Sequence, residues 1–183
     1  MDEIMYDDAT LGLAVLGAIL VPILIIGLVL YLVDAIARFK YLKIRGYVNA
    51  WMAFIPILSV YACVDATYGN VEKISVFGIS LPAMIVKLYP LIISVLAGII
   101  SRIPNVGGIS SALSIVSLAI GIAVFIDMQE RLQQEVSLGF AILANIIAII
   151  APIKLLISCK GLNPGAFDYT TDQRVLKSQE RAM

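Results

Sequence analysis

The chain has 183 residues, 61% hydrophobic and only 14% charged, with zero formal net charge and a mean hydropathy of +0.98. An ordinary soluble domain carries about 25% charged residues, so this composition points away from one and toward a lipid environment. No histidine is present, which removes the commonest metal ligand, the usual general base and the ordinary physiological pH switch.

Five long apolar runs follow in chain order, at about 11–33, 48–64, 79–101, 107–126 and 137–158. Each approaches the ~20 residues that a helix needs to cross a hydrocarbon core about 30 Å thick. The expected fold class is therefore all-α: a polytopic transmembrane helix bundle of five spans, placed in the cell membrane as a multi-pass protein. An acidic N-terminal segment, 1–10, precedes it, and a flexible tail, 159–183, follows. The N-terminus carries Asp2, Glu3, Asp7 and Asp8 where a signal peptide is basic, so the first run is expected to stay as a span.

Orientation follows from the cations. Arg38, Lys40, Lys43 and Arg45 lie between runs 1 and 2, Arg102 between runs 3 and 4, and Lys154, Lys160, Arg174, Lys177 and Arg181 near or beyond the end of run 5. Only Lys73 and Arg131 fall on the other side. The positive-inside rule then puts the N-terminus outside and the C-terminus in the cytoplasm. Tyr47 and Trp51 are expected at the inner boundary, Tyr61, Asp65 and Tyr68 at the outer one. Run 3 holds Pro82 and Pro90; a single kinked span is preferred to a surface segment at 74–86 with entry near Leu88.

Few residues carry chemistry. Cys63 and Cys159 fall at opposite ends of their spans in this topology, too far apart for a disulfide, which needs Cα atoms within about 7 Å. Neither belongs to a CxxC pair, and inert packing thiols are expected. Catalytic residues, metal ligands and cofactors are expected to be none: paired intramembrane acids, a G-x-S-x-G elbow and any histidine are all missing from the sequence.

Lys87 is the one ionisable residue deep in an apolar run. Such residues are often functional, because a charge at the bilayer centre costs ~2.5–3.5 kcal/mol on insertion scales. It could contact an ion or substrate, or pair with an acid such as Asp65. The preferred reading is that it snorkels to the nearby boundary. Asn145 shares a face with Ala141, Ala148 and Pro152, while Ser94 with Gly98, and Ser110, Ser114, Ser117 with Gly121, form small-residue ridges. Such ridges suit close helix packing or oligomer contact, preferred here over a solute path.

The basic segment Arg38, Lys40, Lys43 and Arg45 either sets topology or recruits anionic lipid head groups, at ~1 kcal/mol per charge. Nucleic acid is not an expected partner; the bilayer, a second copy of the chain and other membrane proteins are.

Gly46, Trp51, Phe54, Ile55, Pro56, Ile57 and Tyr61 follow the basic segment, and a Gly-Phe-Ala-Ile stretch opens the last run. In these positions the chain resembles a bacterial family of small multi-pass membrane proteins containing a domain of unknown function, some of them labelled as signal-peptidase-associated. Ser59 stands where that pattern commonly has Asn. The resemblance implies a membrane protein and no particular activity. The expected function is thus a non-catalytic subunit or accessory factor of a membrane assembly. A small oligomeric transporter or channel using Lys87 and Asn145, and an immunity protein, are the alternatives.

Overall fold

A computed structural model describes residues 8–103, 107–147 and 149–170. Among them are seven α-helices, one 3-10 helix and one antiparallel hairpin: α1 (Asp8–Ile44), the 3-10 turn (Ala50–Phe54), α2 (Pro56–Tyr68), β1 (Lys73–Val76), β2 (Ile79–Pro82), α3 (Ala83–Lys87), α4 (Tyr89–Ile100), α5 (Gly107–Arg131), α6 (Leu138–Ile146) and α7 (Ile150–Ser158).

Among the described residues two helices, not five, are long and apolar enough to cross a membrane: Val15–Ile44 and Gly108–Arg131. At 1.5 Å per residue they are roughly 45 and 36 Å long. The first has no charged residue until Asp34, and its large apolar side chains from Val15 to Leu32 stand mostly open. Only its last three turns are buried. Ala37, Tyr41, Leu42 and Ile44 meet Ala53, Val64, Ile74, Val86 and Leu132 there in the main core, which we term the base.

Each departure from the expected spans has a local cause. Run 2 breaks at Ile55, extended at φ −114, because the next residue is Pro56. A residue before proline avoids the helical region, whereas proline is well suited to the first turn of a helix. Pro56 therefore starts α2 and does not sit within a longer helix, and only 13 residues remain helical. Run 3 is not a kinked span. Its first residues form β2, which pairs with β1 in the register Val76↔Ile79 to Lys73↔Pro82. Phe77 and Gly78 both have positive φ, the geometry of a tight two-residue hairpin turn. Along β1, Ile74 and Val76 are buried while Lys73 and Ser75 face out. Pro90 lies in the first turn of α4 and so marks a helix start, not a kink.

Run 5 is a helical hairpin. α6 and α7 have nine residues each, about 14 Å apiece, and are parted by an extended Ile147; Ala148 lies outside the described residues. Asn145, near the end of α6, lies against Gly121 in mid-α5. Ser158, at the end of α7, returns to Gln129 near the foot of α5. The chain goes partway up α5 and comes back.

The expected sidedness is corrected by the same geometry. Arg45 donates to the Ala66 carbonyl at 2.9 Å, and Tyr41 bonds Thr67 at 2.7 Å. Tyr47 donates to Asp65 at 3.0 Å, and Ser158 to Gln129 at 2.6 Å. Five alternating spans would set the partners of each pair a bilayer apart. They lie instead in one base cluster.

α1 ends on Gly46 (φ +68). The Gly46 amide bonds the Lys43 carbonyl and the Tyr47 amide the Leu42 carbonyl, the paired bonds of a Schellman cap. Residues beyond Ser158, expected to be a flexible tail, dock onto this cap as far as Thr170. The amides of Gly165, Phe167 and Tyr169 donate to the carbonyls of Lys43, Ile44 and Arg45 at 2.9–3.1 Å. The Ile44 and Arg45 carbonyls have no partner inside their own helix, and the Lys43 carbonyl accepts from both Gly46 and Gly165. Gly46→Ala is expected to lower the thermal midpoint of the detergent-solubilised chain. A left-handed backbone costs a non-glycine residue about 1–2 kcal/mol, and the added methyl would sit 3.1 Å from the Asp168 carboxylate. An unchanged midpoint would remove the capping role.

Candidate functional site

Two polar clusters occupy the buried end of the molecule. The first is centred on Lys87, at the end of α3. Its ammonium lies 2.5 Å from Asp65 Oδ1 and 3.4 Å from the Gly69 carbonyl, and 5.7 Å from the Tyr61 ring centroid. Lys87 is 8% exposed, so of the readings weighed for it the geometry is that of the pair with Asp65, not of a snorkelling amine. α2 places Asp65 one turn before its C-terminal Gly69. α3 delivers Lys87 because the hairpin turns the chain back over α2.

Tyr47 completes the cluster by donating to the second Asp65 oxygen. Burial first, then the Asp65 charge, pushes the Tyr47 hydroxyl above its ordinary range, so it stays a neutral donor. Tyr68 donates to Asp127 of α5. Together these bonds tie α2, α3, α5 and the segment after α1 into one unit. A lysine so engaged is a structural cation, because its donors are directed at protein acceptors.

The second cluster lines a cavity of about 90 Å³ between α1, α2, α4, α5 and the α6–α7 hairpin. Asp34 and Arg38 face it as an ion pair of 2.8 Å. Arg38 also donates to Ser59 at 3.2 Å. Tyr89 and Asn145 close the far side. A Cβ on Gly121 would lie 3.0 Å from Asn145 Oδ1 and 3.5 Å from the Tyr89 hydroxyl. The missing side chain at Gly121 is thus what lets the α6 tip seat. Lys87 and Asn145, the two candidate polar residues of the expected spans, belong to different clusters; of the two, Asn145 lines the cavity.

The remaining sequence candidates divide by exposure. Ser94, Gly98, Ser110 and Ser114 are open, and Ser117 is half-buried. Ser94 and Ser114 bond carbonyls of their own helix, and nothing lies within 4 Å of a Cβ at Gly98. Of the four cations assigned to topology or head groups, Arg45 is 1% exposed and bonds Ala66, so it is withdrawn from any lipid surface. Arg38 is held by Asp34. Lys40 and Lys43 alone stay exposed. Asp34 and Tyr89 were not singled out by sequence, and Ser59 was noted only as a departure from the family pattern. For Asp34, an acid four residues before Arg38 on one helix was the available signal.

Among the described residues no group of three or more Cys, Asp or Glu side chains could hold a metal ion. Both thiols are buried in the main core. Desolvation pushes Cys63 up to about 12 and Cys159 up to about 11, leaving very little of the thiolate that acts as nucleophile. No protein-family model, curated protein or solved structure matches the chain.

Two outcomes test this layout. Lys87→Met strands the Asp65 carboxylate and is expected to destabilise by about 3 kcal/mol, near the low end for breaking a buried pair, since Asp65 keeps 23% side-chain exposure. Adding Asp65→Asn should restore most of the loss in a chemical-unfolding titration; no recovery would mean the ion pair is not the source. Separately, maleimide at pH 8 should label neither thiol of the folded chain and both after denaturation, read by mass shift. Rapid labelling of the folded chain would contradict the burial of that site.

Proposed function

We propose that this chain is an integral membrane protein that works by helix contact, as a non-catalytic subunit or accessory factor of a membrane assembly. The observation that carries this reading is the α4–α5 arm. α4 has no buried residue, and Leu91, Val95, Leu96 and Ile99 lie open on it, as do Ile109, Ile115 and Val116 on α5. Exposed apolar surface of this extent marks a membrane or protein contact. The small side chains Ser94, Gly98, Ser110 and Ser114 run through that surface, and small residues let another helix approach closely.

In this reading α1 and α5 cross the bilayer, α4 carries the chain from the base toward the tip near Arg102, and the α6–α7 hairpin enters only partway. The base holds Lys40, Lys43, Lys73, Arg131 and Lys160 and would lie in the cytoplasm, with the N-terminus outside. The expected orientation of the termini is kept while the number of crossings is reduced. The loose likeness to a bacterial family of small multi-pass proteins accords with this and adds no activity.

A second reading rests on the cavity at Asp34, Arg38, Tyr89 and Asn145. Its volume of about 90 Å³ matches roughly three waters, enough for a small, largely dehydrated ion to lodge beside a charged pair. Transport through it would lean on Asp34 and Asn145, not on Lys87.

The discriminating experiment is association in mild detergent. Differently tagged copies, or co-purifying membrane proteins, are expected to stay together and to separate when Gly98→Leu and Ser114→Leu are combined, with yield and helicity unchanged. A partner-free monomer whose ion flux in proteoliposomes falls with Asp34→Asn would overturn the contact reading in favour of transport.

A further inference from the structure

On the side of the base away from the α4–α5 arm, α1 and α7 leave an open groove of about 800 Å³. Ligand sites commonly enclose about 300–1,000 Å³. Its floor is apolar, with Phe39 and Leu156 half-buried and Ile157 61% exposed. Three lysines, Lys40, Lys43 and Lys160, line it as well. All three are exposed, and among the described residues no carboxylate is ion-paired with any of them. Lys43 also lies over the Phe39 ring, 5.7 Å from its centroid.

The arrangement repeats on both walls. On α1, Ile36, Lys40 and Lys43 are spaced i, i+4, i+7 and share a face; along α7 and just past its end, Ile153, Ile157 and Lys160 have the same spacing. Each wall presents an open isoleucine surface that passes into lysine at the level of the base. An apolar strip ending in cations is the profile of a lipid: acyl chain along the isoleucines, negative head group at the ammonium groups. Basic pockets between helices at the cytoplasmic side hold anionic head groups for the same reason.

We propose that this groove is a binding site for an anionic phospholipid, its phosphate held by Lys40, Lys43 and Lys160 and one acyl chain laid between α1 and α7. The inference rests on the membrane reading above, not on the choice between contact and transport. It also separates cations of different roles: Arg38 and Arg45 hold the fold, while these three lysines face the ligand.

The test uses the full chain in mild detergent, incubated with phosphatidylglycerol or phosphatidylcholine and examined by native mass spectrometry. Three lysines near the surface favour the anionic lipid by on the order of 100-fold in relative affinity. The preference should fall toward parity in the combined Lys40→Gln, Lys43→Gln, Lys160→Gln variant. It should persist in the matching triple arginine variant, and in Lys73→Gln, which lies on the exposed edge of β1 outside the groove. Preference retained by the triple glutamine variant would overturn the proposal. So would inorganic phosphate displacing the lipid, since the site would then be one for free anions, or lipid binding seen only after truncation following Thr170, since the groove would then belong to the chain's own terminus. A chain that stays out of phosphatidylcholine nanodiscs fails the membrane reading and this inference together. One that enters them but shows no lipid preference fails this inference alone.

Discussion

The C-terminal turns of α1 are the constraint on which the rest of the base is assembled. A long apolar helix ends with carbonyls that nothing in its own turns can satisfy, and a base packed around that end has to supply donors. The chain does so twice over. Gly46 allows the left-handed residue of the Schellman cap, and the amides of Gly165, Phe167 and Tyr169 pair with the carbonyls of Lys43, Ile44 and Arg45. With that end closed, Tyr41 and Leu42 can lie at zero exposure in the core, against α2, the hairpin and the foot of α5. Buried backbone groups left open would cost free energy on the scale of a lost hydrogen bond each.

The ionisable residues of the base follow the same economy of pairing. Lys87 meets Asp65, Arg38 meets Asp34, and the tyrosines at 47 and 68 donate to carboxylates. A low local dielectric makes a satisfied network strong and an unsatisfied group costly. Function has therefore to be sought in what the network leaves over: the uncovered α4–α5 face, the small cavity, and the lysines at the edge of the α1–α7 groove. Arg45 makes the distinction clear. It stands in the same basic segment as Lys40 and Lys43, yet it is turned inward to a carbonyl while they face outward.

Much of this was legible in the residues, and the rest was hidden for specific reasons. The crossing-length helices α1 and α5 are readable, because uninterrupted apolar length has few other outcomes. The pairing of Lys87 with Asp65 stood among the readings open for that lysine, behind the snorkelling that its nearness to a span end favoured. The hairpin was obscured because Ile79–Pro82 abuts an apolar helix and merges with it in any window average. The alternation of Ile74 and Val76 with Lys73 and Ser75, followed by Phe77-Gly78, was the signal. Pro90 misled as an interior kink and Pro56 passed as the interior of a span, whereas each stands in the first turn of its helix. The turn at Ile147 carries neither glycine nor proline. Nothing local announces it; the seating of Asn145 on Gly121 does.

The docking of residues 163–170 on the end of α1 joins parts of the chain more than 120 residues apart in sequence. A ribosome delivers the end of α1 well before those capping amides. Until those amides emerge, the carbonyls of Ile44 and Arg45 lack their capping donors, and the base cannot close over them. The nascent protein must therefore pass through an unsealed intermediate, and a quality-control protease would have its best opportunity in that interval.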